Sequence, residues 1–144
     1  METVNRAFFD AYLDAWNAHD AAAVARHMAD DAIYEDVALG RVLHGTSEIA
    51  LFVEEATRSS SDFRFEVVSL FAAGTDYPNE WVMVGTNDRE VRGVPPTGRS
   101  FRVRRASIGR LDTSGRIAEN RDYYNLAELL TQLSILSTAP SSPR

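Results

Sequence analysis

Between Asp62 and Asn125 the chain repeatedly alternates apolar with polar residues, and the stretches are separated by short breaks rich in glycine, proline and aspartate. That pattern predicts four strands, Asp62–Phe71, Glu80–Val91, Ser100–Leu111 and Arg116–Asn125, reversed at AAGTDYPN, GVPPTG and DTSG. An antiparallel sheet of such length twists and curls, so its inward side chains follow from alternation and its concave side encloses a pocket.

The first sixty residues read differently. From Thr3 to His19, Val4, Ala7, Phe8, Ala11, Tyr12, Ala15 and Trp16 recur close to helical spacing. Asp20 is placed to cap a second helix over Ala21–Met28, and Thr46 or Ser47 to cap a third that ends near Arg58. Between them AIYED predicts a strand with Tyr34 and Asp36 on one face and Ile33, Glu35 and Val37 on the other. A short final helix is expected over Leu126–Leu136. The fold class expected is α+β, with three N-terminal helices packed on a strongly curved mixed or antiparallel sheet that encloses a pocket.

Length and composition narrow the function. A chain of 144 residues predicts one domain over 1–144, with an untethered tail over 137–144. Fifteen Lys and Arg against 21 Asp and Glu give a net charge of −6, which disfavours nucleic acid and anionic lipid as partners. FRVRRAS forms no continuous basic stripe, and its arginines are expected in internal pairs or on an anionic ligand. With no cysteine, thiolate nucleophiles and thiolate metal sites are excluded. His19, His27 and His44 are too scattered for a metal set, and no cofactor is expected. The expected protein is soluble and cytoplasmic, does not span a membrane, and pairs as a homodimer through the back of its sheet.

The chemistry-bearing residues cluster on predicted strands. In RIAENRDYY, alternation puts Asn120, Asp122 and Tyr124 on one face. If that face lines the cavity, Asp122 is a carboxylate in a partly apolar pocket, suited to proton transfer. The alternative is that it pairs with an arginine such as Arg121 or Arg105, or faces solvent. Asp36 shares a face with Tyr34 and either reaches the same ligand or caps the turn before Gly40. Asp88 and Glu90 share a face too, so up to four carboxylates are expected around one cavity unless arginines neutralise them or a bulge turns a pair outward. Tyr12 and Trp16 either pack on the sheet or face the ligand, and His44 is expected near the cavity mouth.

The segments YLDAWNAHD, DDAIYEDVALGRVLHGTSEI, GTNDREVRGVPPTGRS and SGRIAENRDYYNLAELLTQL resemble, in order, those of the SnoaL-like polyketide cyclases. These belong to the cone-shaped nuclear transport factor 2-like (NTF2-like) superfamily, with limonene-epoxide hydrolase and ketosteroid isomerase. The resemblance implies a hydrophobic carbonyl substrate, ring closure or isomerisation without a cofactor, and acid/base work at Asp122. Where the cyclases often carry histidine, in a GTH run, this chain has Asn87, a neutral hydrogen bonder.

NRDYYN and PPTGRS also resemble limonene-epoxide hydrolase. That likeness implies water activation by Asp122 with Tyr34 and Asp36, but its Arg-x-Asp pair is replaced here by Asp88 and Glu90. Against ketosteroid isomerase, Tyr12 and Asp36 fall near the donor and the base, and Ser107 stands where an acidic donor is expected. Three readings follow: a cyclase-like enzyme, an epoxide hydrolase, or a noncatalytic binding dimer. The substrate-binding set is Tyr12, Trp16, His44, Asn87, Asn120 and Tyr124, and the catalytic set is Asp122, Asp36, Tyr34, Glu90 and Asp88.

Overall fold

The computed structural model describes residues 6–71, 74–91 and 93–135. The expected tail over 137–144 lies outside them, as do Thr3 and Val4 of the predicted first helix. Helix α1 (Arg6–Asn17) and helix α2 (Ala21–Arg26) lead into strand β1 (Met28–Asp36) and strand β2 (Arg41–His44). Helix α3 (Gly45–Arg58) is followed by β3 (Arg64–Leu70), β4 (Asp76–Thr86), β5 (Ser100–Leu111), β6 (Ile117–Tyr124) and helix α4 (Leu126–Gln132).

Local chemistry sets most of these boundaries. The Asp20 side chain accepts from the Ala23 amide at 3.0 Å and starts α2 as expected. Helix α3 departs from expectation, because neither Thr46 nor Ser47 caps it. Its cap position is His44, and Glu48 reaches back to accept the His44 amide at 2.8 Å, the reciprocal half of a capping box. The buried face of α1 is Phe9, Tyr12, Ala15 and Trp16, so the stripe is rotated from the expected one and Ala7 and Ala11 are exposed. Phe9 wins that place by stacking edge-on against Tyr77 of β4, with ring centroids 4.8 Å apart.

The sheet order is β2-β1-β6-β5-β4-β3. Strand β1 pairs parallel to β6 and antiparallel to β2, so the sheet is mixed; β1 lies between α2 and α3 as expected, and β2 joins it there. Strand β2 lies within what reads in sequence as a turn. Register shifts interrupt β1, β3 and the β5–β6 pair, and such irregularities bend and twist a sheet. Helix α1 packs against β3 and α3 against β1 and β2, while α4 is tied to β5 by Gln132, which accepts from the Arg102 amide at 2.7 Å.

The pairing register lines up three rows across the inner face. Tyr77, Gly109, Asn120 and Tyr34 form one; Asn79, Ser107, Asp122 and Asp36 form the next; Trp81, Arg105 and Tyr124 form the third. In the first row, Tyr77 lies across Gly109 and donates to Asn120 Oδ1 at 2.7 Å. A Cβ at position 109 would collide with the Tyr77 hydroxyl and the Glu119 carbonyl. Gly109→Ala should therefore cost about 1–3 kcal/mol in urea unfolding. A neutral result would show that Tyr77 yields without loss.

Candidate active site

Asp122 is 1% exposed and lies at the centre of the middle row. Its Oδ2 accepts from the Tyr34 hydroxyl and from Arg105 Nη2, the latter at 2.6 Å. Its Oδ1 accepts from Ser107 Oγ at 2.6 Å and from Asn120 Nδ2 at 2.8 Å. Two of these donors are themselves held: Tyr77 donates to Asn120, and Trp81 Nε1 donates to Ser107 Oγ at 3.1 Å. Alternation aims every one of these side chains at the same volume, because β4, β5 and β6 bury Tyr77, Asn79 and Trp81, Arg105 and Ser107, and Asn120 and Asp122 in register.

Arg105 is the cation of the site. It lies between two carboxylates, Asp122 at 2.6 Å and Asp36 at 4.0 Å, and its guanidinium sits over the rings of Phe65 and Tyr124. Burial alone would push its proton off, but Asp122, Tyr34 and Asp36 outweigh that and hold the guanidinium pKa above its ordinary range. Asp36 is buried as well. It accepts from the Leu39 amide at 2.9 Å and from the Tyr124 hydroxyl at 3.2 Å, so it caps the turn and faces the site together. Desolvation raises its pKa, against the opposing pull of the Leu39 amide and Arg105.

The tyrosines are fixed as neutral donors. Burial raises the pKa of Tyr34 well above 10.0, with the charge of Asp122 adding to it, and burial does the same for Tyr77. Tyr12 and Tyr124 shift upward for the same leading reason, helped by Asp122 and Asp36 respectively.

A cavity of about 20 Å³ abuts this network, room for about one water molecule. It is walled by Tyr34, Asp122, Arg105, Asn79 and the indoles of Trp16 and Trp81, among others; every lining residue is buried except Leu13 on α1, which is half-exposed. The hollow expected from the sequence is present but mostly filled by aromatic rings.

Of the residues singled out in sequence, Asp122, Tyr34, Tyr12, Trp16 and Asn120 line the cavity, and Asp36 and Tyr124 stand directly behind it. The expectation of four converging carboxylates is corrected to two. Strand β4 ends at Thr86, so alternation does not carry through to Asp88 and Glu90, which are both exposed. Asp88 instead accepts from the Ser61 amide and hydroxyl, and these bonds lower its pKa. Asn87 also leaves the site: its Oδ1 accepts from the Thr97 amide at 2.6 Å and pins the PPTG turn. His44 is exposed at the start of α3.

The network also depends on residues that sequence reasoning undervalued. From sequence Arg105 reads only as a neutralising partner, Ser107 only as a weak donor and Trp81 only as a core or interface aromatic, whereas nothing marks out Tyr77 or Asn79. The available signal was alternation along FRVRRAS, which places Arg105 on one face with Phe101 and Val103, where a charge requires a buried partner. Arg102 and Arg104 face outward, with Arg102 paired to Glu66 at 3.0 Å. Among the described residues no group of histidine and carboxylate side chains is arranged to hold a metal, and no helix is long and apolar enough to cross a membrane.

A mixed sheet folded over helices, with a buried ionic network beside a narrow cavity, defines a fold of the NTF2-like and ketosteroid isomerase-like type. The chain belongs to the SnoaL-like polyketide cyclase family, whose model matches residues 6–133. Similar solved structures include a hypothetical protein of ketosteroid isomerase-like fold from Catenulispora acidiphila, crystallised with trimethylamine. It has a TM-score of 0.80 and 21% identity, covering 94% of this chain and 98% of that one. IdmH from Streptomyces antibioticus, described as a candidate polyketide cyclase, has a TM-score of 0.78 and 22% identity, covering 91% and 99%. A candidate polyketide cyclase from Pseudomonas putida has a TM-score of 0.72 and 25% identity, covering 87% and 94%. No curated protein matches the chain.

Proposed function

We propose that the protein is a cofactor-independent enzyme of the cyclase or isomerase type that moves a proton next to the carbonyl of a compact hydrophobic substrate. The observation that carries this reading is Asp122, buried in the cavity wall and joined on one oxygen to both Tyr34 and Arg105. Asp122 takes the proton from carbon. Tyr34, a neutral donor, turns its hydroxyl from Asp122 to the substrate oxygen as charge develops there, and Arg105 offsets the negative charge without moving. Asp36, whose pKa burial raises, is the second proton carrier and is linked to the site through Tyr124 and Arg105. The hollow, with room for about one water molecule, takes only the polar head of a substrate that enters beside Leu13 as the aromatic wall yields. The same reading keeps a homodimer, supported by Ile33, Val42 and Ile108 exposed on the outer sheet face.

Asp122→Asn should lower deuterium exchange at the carbon next to a ketone, followed by NMR in heavy water, at least about 100-fold while the far-UV spectrum is kept. Exchange at the parent rate would remove Asp122 from the mechanism.

One observation favours a second reading, hydrolysis. The arginine missing from the strand before PPTG is supplied by β5 as Arg105, between Asp122 and Asp36, and the cavity has room for a water molecule beside them. In that case Asp122 activates water towards an epoxide, and labelled solvent oxygen appears in a diol. Ring closure or isomerisation leaves no such label.

A further inference from the structure

The side chain of Asn79 is 2% exposed and lines the cavity, yet among the described residues neither its Nδ2 nor its Oδ1 has a hydrogen-bond partner. Its neighbour in the row, Ser107, spends its one hydroxyl hydrogen on Asp122 and accepts from Trp81. On the other side of the polar wall, Tyr77 spends its hydrogen on Asn120. The network around Asp122 is thus closed without Asn79, which sits on the same inner row and is turned to the same hollow. A carboxamide buried with a donor and an acceptor both unmet destabilises the fold, and a leucine of similar shape would not. Sites that hydrogen-bond their ligand show this pattern when the polar group waits for the ligand's own donor and acceptor.

We infer that Asn79 is a specificity-determining residue that recognises a hydrogen-bond acceptor and donor set side by side on the ligand, as in a primary amide or a lactam. Its Nδ2 donates to the ligand carbonyl and its Oδ1 accepts the adjacent N–H. Asn79 and Asp122 stand two strands apart, roughly 10 Å between backbones. The amide therefore lies across the cavity from the carboxylate, and because the hollow has room for about one water molecule the aromatic wall yields to admit it. Only the claim that this ligand is a substrate rests on the proton-transfer reading; recognition itself does not require turnover.

The test uses acetamide and acetone, two probes of nearly equal size that differ in whether they carry a donor. The chain has two tryptophans, Trp16 and Trp81, and both line the cavity, so their indole N–H signals in a nitrogen–proton NMR titration report binding directly. The full chain should bind acetamide about tenfold or more tightly than acetone, and Asn79→Leu should erase that preference while leaving the melting temperature unchanged or higher. Asn79→Ala, which leaves space instead of apolar bulk, should also lose the preference and controls for steric block by leucine. Equal affinities in the parent protein, no binding of either probe, a preference that survives in both variants, or a fall in the melting temperature of Asn79→Leu would overturn the proposal. None of these outcomes depends on catalysis. Loss of exchange activity in Asp122→Asn with the acetamide preference intact would separate the two claims.

Discussion

Replacing Arg105 by methionine should destabilise the folded chain by about 3–5 kcal/mol, because it leaves the buried carboxylate of Asp122 without its cation. The size follows from burial: Arg105 and Asp122 side chains are 6% and 1% exposed and lie 2.6 Å apart, so neither solvent nor salt screens the orphaned charge. Methionine fills the space beside Met83 and Phe65, so the loss reports charge more than cavity. Combining it with Asp122→Asn should recover much of the loss, because both charges are then removed together. Urea unfolding of the two single variants and the double variant measures the coupling. A single-variant cost under about 1 kcal/mol would mean that the pair is wet in solution and that Arg105 does not organise the site.

Stability should also collapse above pH 10. Tyrosines of the unfolded chain ionise near 10.0, while burial raises the folded values of Tyr12, Tyr34 and Tyr77. Below pH 10 both states keep these protons and stability is unaffected. Above it the unfolded chain loses protons that the folded chain retains, so stability falls as pH rises. Each such group contributes up to about 1.4 kcal/mol per pH unit, hence about 4 kcal/mol per unit for the three fully buried rings. A domain of ordinary stability, about 5–15 kcal/mol, should unfold within a few pH units. Tyrosinate absorbance should then rise together with the loss of circular dichroism. Ionisation of the three rings at pH 10–11 with the fold intact would show that they reach solvent.

The two outcomes probe one arrangement from opposite sides. Arg105 supplies the charge that holds Asp122 in the wall, and the tyrosines supply neutral donors that stay donors across the working range of most enzymes. An acid/base site needs both, because a donor that ionised with its neighbour could no longer stabilise a developing oxyanion.

Much of this was legible from residues alone, for a physical reason. Strand alternation has a period of two, so once Asp122 is taken as inward, Asn120 is inward too; the same holds for Tyr34 and Asp36. The Asp20 cap and the turn chemistry around DTSG act over a few residues and were readable for that reason. Strand β2 was missed because RVLH is too short to show a period, and it is a strand only through pairing with β1. Asp88 and Glu90 were misplaced because alternation cannot say where a strand stops, and β4 stops at Thr86 when Asp62 takes the Thr86 amide and hydroxyl.

Sequence by itself determined the class of fold, the order of the elements apart from β2, and which residues of β1 and β6 share a face, since each follows from local periodicity and short-range capping. Only the tertiary structure decided that Arg105 bridges Asp36 and Asp122, that Ser107 and Asn120 close the carboxylate, and that Asn79 is left unpaired beside the cavity. Those facts depend on the register between strands distant in the chain, where a shift of one residue would turn each side chain to the opposite face of the sheet.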